Sequence, residues 1–485
     1  MGDIRLPFSN SFSQLPSIFY TRMPAEPFVE NPTLIHANPS LCDVIGLSKE
    51  SLSHPQFASY FSGQLSLPGS DSLAMVYSGH QFGQWAGQLG DGRALLLGQV
   101  TTPAHGQWDI QLKGSGKTPY SRFGDGRAVL RSCIREYLCG EAIHGLGILT
   151  TRALCVVGTN QQVRRESWEP GAVLARVASS HIRFGHFEHF FYHYPGSDYG
   201  RALADYVIEH FFSELMDTPD RYRFWFHQVV VRTAALIAEW QAVGFCHGVM
   251  NTDNMSILGE TIDYGPFGFM EGFDPHYICN HSDETGRYAY DQQPLIGLWN
   301  LQALAQALTS FISETDLREG LGEYWIHFLT TYEIKMAQKL GFEIVTDDVR
   351  SLIYDLLELM EADLADYPLV FRLLSESLLD TTRWVSLFKS TDAALGWLSR
   401  YHHEILKGGS SHEISTRLNL VNPKYILRNW VAEVAIREVE DKANYAILDD
   451  FLTIFHAPYD EDPQFERFAN PAPEGFGEVC VSCSS

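Results

Sequence analysis

The stretch from His247 to Gly265, HGVMNTDNMSILGETIDYG, constrains this chain more than any other. Asn254 stands seven residues after His247, and Asp263-Tyr264-Gly265 follows nearby. Asn254 and Asp263 are the oxygen donors expected of a divalent-metal site. The residue two after the histidine is Val249, which cannot accept a proton. Upstream, Val230 to Val243 is largely apolar and amphipathic, which predicts a buried helix leading into this segment.

Protein kinases place a catalytic Asp two residues after such a histidine and a metal-binding Asn five residues after that Asp. An Asp-Phe-Gly then supplies the second metal ligand. Here both metal ligands are retained and the usual base is gone. His247 is expected to orient its loop rather than to bind metal. On these residues alone the reading is an altered or inactive kinase.

The N-terminal half offers what a nucleotide site would need. Ala94-Leu95-Leu96-Leu97 and Asp109-Ile110-Gln111-Leu112 read as strands, and Ile110 and Leu112 share a face. Lys113 ends the second strand. A helix is expected between Gly126 and Gly145, capped by Asp125, with Val129, Leu130, Ile134, Tyr137 and Leu138 on one apolar face. Glu136, 23 residues after Lys113, is the expected ion-pair partner of that lysine, with Glu141 as its competitor. Gly-Asp-Gly-Arg occurs twice, at 90–93 and 124–127. Gly90, Gly92 and Gly126 would let backbone N–H groups approach phosphates, with Arg93 adding charge. A plain hairpin turn is the competing reading of the first copy. Arg176 and Arg183 suit a polyphosphate because each guanidinium can grip oxygens in a fork; ordinary salt bridges compete.

Strands first and helices after predict an α+β architecture with two lobes, like a protein kinase. Residues 1–75 read as an N-terminal extension, 76–195 as a nucleotide-binding lobe, and 196–460 as a large helical lobe carrying the 247–265 loop. Residues 461–485 read as an acidic, loosely held tail. The 485 residues are 45% hydrophobic and 19% charged, as in a globular protein. A net charge of −24 argues against nucleic-acid partners. No run of apolar residues is long enough for a membrane span. MGDIRLPFSN has no targeting character, and Leu6 defeats a myristoylation motif. Eight scattered cysteines fit a reducing cytoplasm. His403-Glu404 and His412-Glu413 do not complete a zinc motif, because Lys407 and Thr416 stand where the second histidine would be.

Five blocks taken together resemble the selenoprotein O family of pseudokinase-fold protein adenylyltransferases. They are Tyr77-Ser78-Gly79-His80-Gln81-Phe82-Gly83, the two Gly-Asp-Gly-Arg copies, Gln111 to Gly116, Arg176 to Arg183, and His247 to Gly265. They occur in the family's order and cover roughly residues 70 to 290. The resemblance implies ATP bound in a flipped orientation, with AMP passed to Ser, Thr or Tyr hydroxyls of proteins, self-modification included, and pyrophosphate released. It implies ATP contacts from Gly90, Gly92, Arg93, Lys113, Asp125, Gly126, Arg176 and Arg183. Asp253 would be the proton acceptor, and Asn254 and Asp263 the Mg²⁺ ligands.

UMP transfer with Mn²⁺, γ-phosphate transfer by an atypical kinase, and non-catalytic nucleotide binding stay open as alternatives. Eukaryotic members carry selenocysteine near the C-terminus and bacterial members can carry cysteine. This chain has Cys480 and Cys483 there, which fits a bacterial, cysteine-containing member. By the same resemblance a tail cysteine could form a redox-sensitive disulfide with Cys279, with an inert tail thiol as the competing reading. A lone Cys-x-x-Cys is a poor zinc site.

Overall fold

The strand Gly106–Lys113 alternates as its sequence predicts. Ile110 and Leu112 point into an apolar layer shared with the N-terminal segments, while Gln111 and Lys113 leave by the opposite face. A computed structural model describes residues 4–476 and residue 479. The strand is central in an eight-stranded antiparallel sheet. The spatial order is Tyr20–Arg22, Leu73–Met75, Ala94–Thr102, Gly106–Lys113, Trp168–Ala178, Arg152–Arg164 and Thr33–Ala37, with Ala128–Val129 pairing on Trp168–Ala178. Register sets Arg176 opposite Gln111 and Leu174 opposite Lys113, so the two cationic side chains emerge from adjacent strands.

The expected α+β class holds as a mixed fold with an antiparallel sheet and a large helical C-terminal region. Two local expectations are corrected. First, the helix begins at Leu130, not at Gly126. Ala128 and Val129 are drawn into the sheet opposite Ala172 and Gly171, and Asp125 caps no helix. Second, the start of the acidic tail is held down. Phe465 and Phe468 are buried, and Phe468 meets Trp430 and Phe451 at ring-centroid distances of 5.9 and 4.9 Å. The segment before residue 75 supplies both sheet edges, Tyr20–Arg22 and Thr33–Ala37.

The helix Arg221–Val243 is buried along one side and ends at Gly244, whose left-handed φ of 70° closes it. The chain then enters the two-residue strand Phe245–Cys246, which pairs with Gly268–Phe269. This ribbon brackets the 247–265 loop. Helices Phe184–His193 and Gln293–Leu308 pack beside it in one core with Leu130–Gly145. A second core gathers the helices between Met336 and Leu418.

The last long helix, Ile447–His456, returns to the sheet half. His456 Nε2 lies 2.6 Å from Glu141 Oε2, and His36 Nε2 lies 2.9 Å from Asp449 Oδ1. Gly145 is obligatory there, because a Cβ would sit 1.7 Å from Phe455 O. Among the described residues no helix is long and apolar enough to cross a membrane.

Candidate active site

The 247–265 loop is stitched to its surroundings by backbone bonds. Thr151 N donates to Thr261 O at 2.9 Å, and Thr261 N to Leu149 O at 2.8 Å. Phe184 N donates to Met255 O at 2.9 Å, and Ile257 N to Ile182 O at 3.1 Å. His247 holds the loop from within: its Nε2 lies 2.9 Å from Ile262 O, and its backbone N donates to Gln293 Oε1 at 2.8 Å. Asn254 Nδ2 donates to Val249 O at 3.0 Å, so the amide anchors through its nitrogen and keeps its oxygen for another partner. Asp263 adopts a left-handed φ of 59°, uncommon outside glycine and tolerated by Asp.

A chain of buried charges runs from the sheet to this loop. Lys113 Nζ donates to Glu136 Oε2, and Glu136 Oε1 accepts from Arg176 Nε at 2.5 Å. Arg176 Nη2 is 2.8 Å from Asp263 Oδ1, and Arg183 Nη1 donates to Asp263 Oδ2. Arg183 also donates to Asp253 O at 2.7 Å and lies over the Tyr77 ring at 4.9 Å. Burial works against ionised Asp263, yet Arg183 and Arg176 hold its carboxyl well below the usual carboxylate range. Burial likewise opposes charge on Glu136, and Arg176 with Lys113 more than offsets it. Lys113 is lowered by burial, with Glu136 pulling the other way. Glu141 makes a different pair: it accepts from Arg152 Nε at 2.9 Å.

Asp253 is 7% exposed. Its Oδ2 accepts from Gln81 Nε2 at 3.0 Å, while buried Oδ1 has no partner. Burial pushes its carboxyl up to about 7, against the Gln81 hydrogen bond. Two glycines allow the close approach around it. A Cβ at Gly79 would stand 2.8 Å from Asp253 Oδ1, and one at Gly185 would stand 2.1 Å from Ser78 O.

These groups face a cleft of about 800 Å³, within the usual size of a ligand site. Gly90, Gly92, Arg93, Lys113, Asp125, Gly126, Arg176, Arg183, Asp253, Asn254 and Asp263 all line it. Glu136 stands behind Lys113. Arg93 and Asp125 are exposed at the rim, and Asp125 is paired with Arg165 at 2.8 Å. Cys279 lies outside the cleft, 3% exposed, its Sγ 2.9 Å from Pro266 O. Cys480 and Cys483 fall outside the described residues, and with them the tail bridge.

Sequence reasoning missed Gln81, Asp91, Arg164 and Arg165, all on the cleft wall. Gln81 was legible only as part of its motif. Asp91, in the first Gly-Asp-Gly, accepts from Met75 N at 3.0 Å, and burial pushes it up to about 6.

The donor set fits a magnesium-class ion. Asn254, Asp263 and Asp253 offer only oxygens, with no thiolate or imidazole to favour a softer metal. The unpartnered Oδ1 of Asp253 is a buried acceptor in want of a cation or donor. Cations on one side and metal-type oxygens on the other suit a nucleotide polyphosphate.

Known proteins give the class. The protein nucleotidyltransferase YdiU of Myxococcus xanthus (strain DK1622) is 46% identical over 486 residues, covering 99% of each chain. The protein of that name from Bordetella avium (strain 197N) is 46% identical over 486 residues, covering 99% of this chain and 98% of its own. That of Aliivibrio salmonicida (strain LFI1238) is 45% identical over 487 residues, covering 99% of each. The enzyme is a nucleotidyltransferase. The family described as protein adenylyltransferase SelO matches residues 3–456, and the chain belongs to that family.

Proposed function

We propose that this nucleotidyltransferase transfers AMP from ATP to hydroxyl side chains of proteins, its own included, with Mg²⁺. The observation that carries the reading is the convergence of Asp253, Asn254 and Asp263 with the Lys113–Glu136–Arg176 chain on one cleft. In this reading the chain is a kinase-like enzyme with a nucleotide lobe over residues 76–195 and a helical lobe over 196–460. The 1–75 extension wraps the first lobe and a tail follows residue 460.

Lys113, Arg176 and Arg183 bind phosphate oxygens, and Glu136 orients Lys113 and Arg176. Arg93 and the glycines Gly90, Gly92 and Gly126 line the phosphate path, with Asp125 at its rim. Asn254 and Asp263 hold the metal, which when bound neutralises triphosphate charge. Asp253 takes the proton from the acceptor hydroxyl. That oxygen bonds to the α-phosphorus, the bond to the bridging oxygen breaks, and pyrophosphate leaves with its electron pair. The cations hold the phosphates in line for this attack.

The test uses ATP labelled at the α- or the γ-phosphate, with the full chain, Mg²⁺ and a protein acceptor. Label from the α position in protein, with a mass gain of one AMP, is expected. Label from the γ position instead would make it a kinase. Transfer only from UTP with Mn²⁺ would change the nucleotide and metal, and no transfer with intact ATP binding would leave a regulator. Asp253→Asn should lower transfer about 10²–10⁴-fold, the usual worth of a general base, with ATP binding retained. Near-normal transfer by that variant would remove Asp253 as the base.

A further inference from the structure

Away from the cleft, His227, Glu323 and His327 each bring one ligand atom to within 4.8 Å of the other two. His227 lies in Arg221–Val243, and His327 in Tyr324–Lys339, with Glu323 as that helix's N-cap. Glu323 and His327 are one turn apart and project from the same face. Their charged groups are 3.8 Å apart, beyond hydrogen-bond reach. The rings of His227 and His327 meet edge to face at 6.0 Å between centroids. One turn before His227, Arg223 is taken up by Asp316 at 3.4 Å and Glu319 at 2.9 Å. Among the described residues no lysine or arginine pairs with Glu323.

We propose that His227, Glu323 and His327 form a site for a divalent ion of the zinc class, separate from the catalytic metal. Two imidazoles select a borderline transition ion over Mg²⁺. Two histidines and one carboxylate are a complete protein ligand set for zinc with an outer position left for water. Tetrahedral coordination with bonds of about 2.0–2.2 Å sets ligand atoms roughly 3.3–3.6 Å apart. The side chains of His327 and Glu323 are 36% and 45% exposed, so they have room to close to that spacing. None of the three residues lines the cleft, although Gly259 of the 247–265 loop packs on Arg232, five residues after His227. A bound ion would staple that helix to Tyr324–Lys339 and stabilise the folded chain by mass action.

The experiment is equilibrium dialysis of the full chain against Zn²⁺ without nucleotide, with bound metal counted by atomic emission. It is run in an Asp263→Asn, Cys480→Ser, Cys483→Ser background, which removes the cleft and the tail as competing sites. One Zn²⁺ per chain is expected, with a rise in Tm on adding Zn²⁺. His227→Ala and His327→Ala should each weaken binding about tenfold or more and abolish the Tm rise. Should an alanine variant fail to fold, Glu323→Gln, which keeps the side chain's size, must show the same loss. No retained zinc, or unchanged affinity in folded variants, overturns the site.

Discussion

Arg176 Nη2 lies 2.8 Å from Asp263 Oδ1 while its Nε donates to Glu136 Oε1 at 2.5 Å. One guanidinium thus joins the helix carboxylate to the Asp-Tyr-Gly carboxylate. Its planar fork serves two carboxylates at once, a geometry that an ammonium does not reproduce. Arg176→Lys is therefore expected to weaken nucleotide binding about tenfold or more, as read by titration calorimetry, and to lower the urea midpoint. Removing one partner of a buried pair costs about 3–5 kcal/mol. Glu136 keeps Lys113 here, so the loss should fall at or below the low end. Wild-type affinity and stability would show that the bridge is idle.

Gly79→Ala separates position from folding. The added Cβ would meet Asp253 Oδ1 at 2.8 Å, a side-chain end that can swing away. It would also meet Thr252 Oγ1 at 2.9 Å, a hydroxyl that accepts from His80 N at 2.7 Å and must give by a few tenths of an ångström. The fold should survive with a small drop in Tm, but the Asp253 carboxylate must move. Misplacement by about 1 Å can cost on the order of 10²-fold in rate. A kcat within twofold of wild type would show that the carboxylate's position does not limit transfer.

Acid stability should report on Glu141. Burial disfavours its charge, but hydrogen bonds from His456 and Arg152 bring its carboxyl down to about 2. The unfolded value is about 4.3. Its contribution is complete above the unfolded value and is lost as pH falls towards about 2. Glu141→Gln should lower Tm at pH 7, and the gap to wild type should narrow through that window in calorimetric scans. A gap independent of pH would assign the loss to packing and not to charge.

Lys339 gives the opposite kind of lever. It is 6% exposed, with its Nζ 4.2 Å from the Phe371 ring centroid and 5.4 Å from that of Tyr367. Burial brings its ammonium down to about 7. The unfolded value is about 10.4. Between these values the unfolded chain binds the extra proton, so stability rises with pH across the window. Lys339→Met should raise Tm at pH 7 and flatten that rise. An unchanged slope from pH 7 to 10 would show that Lys339 titrates normally in the fold.

Much of the site was legible because its signals are short. The His247–Gly265 spacing lies within one loop, and Lys113 and Glu136 stand only 23 residues apart, on a strand and on the next helix. The sheet edges were not legible. Tyr20–Arg22 is three residues long and exists only by pairing with Leu73–Met75, so no local periodicity marks it. Asp125 followed by an apolar helical pattern looked like a cap. Ala128 and Val129, however, find strand partners at Ala172 and Gly171, and tertiary pairing overrides the local preference. Gln81 escaped because its partner, Asp253, is distant in sequence. The early tail misled through composition: acidic residues and prolines surround Phe465 and Phe468, and two buried rings decide its placement.

The return of Ile447–His456 to the sheet half makes the chain interlaced, not tandem. The helix Leu130–Gly145, which carries Glu136 behind Lys113, is backed by residues more than three hundred positions later, as the His456–Glu141 contact shows. Shuffling segments among relatives therefore has a natural unit that is discontinuous in the gene. A transplanted sheet must bring its own 447–456 helix, or Gly145 and Phe455 will come from different parents and no longer match.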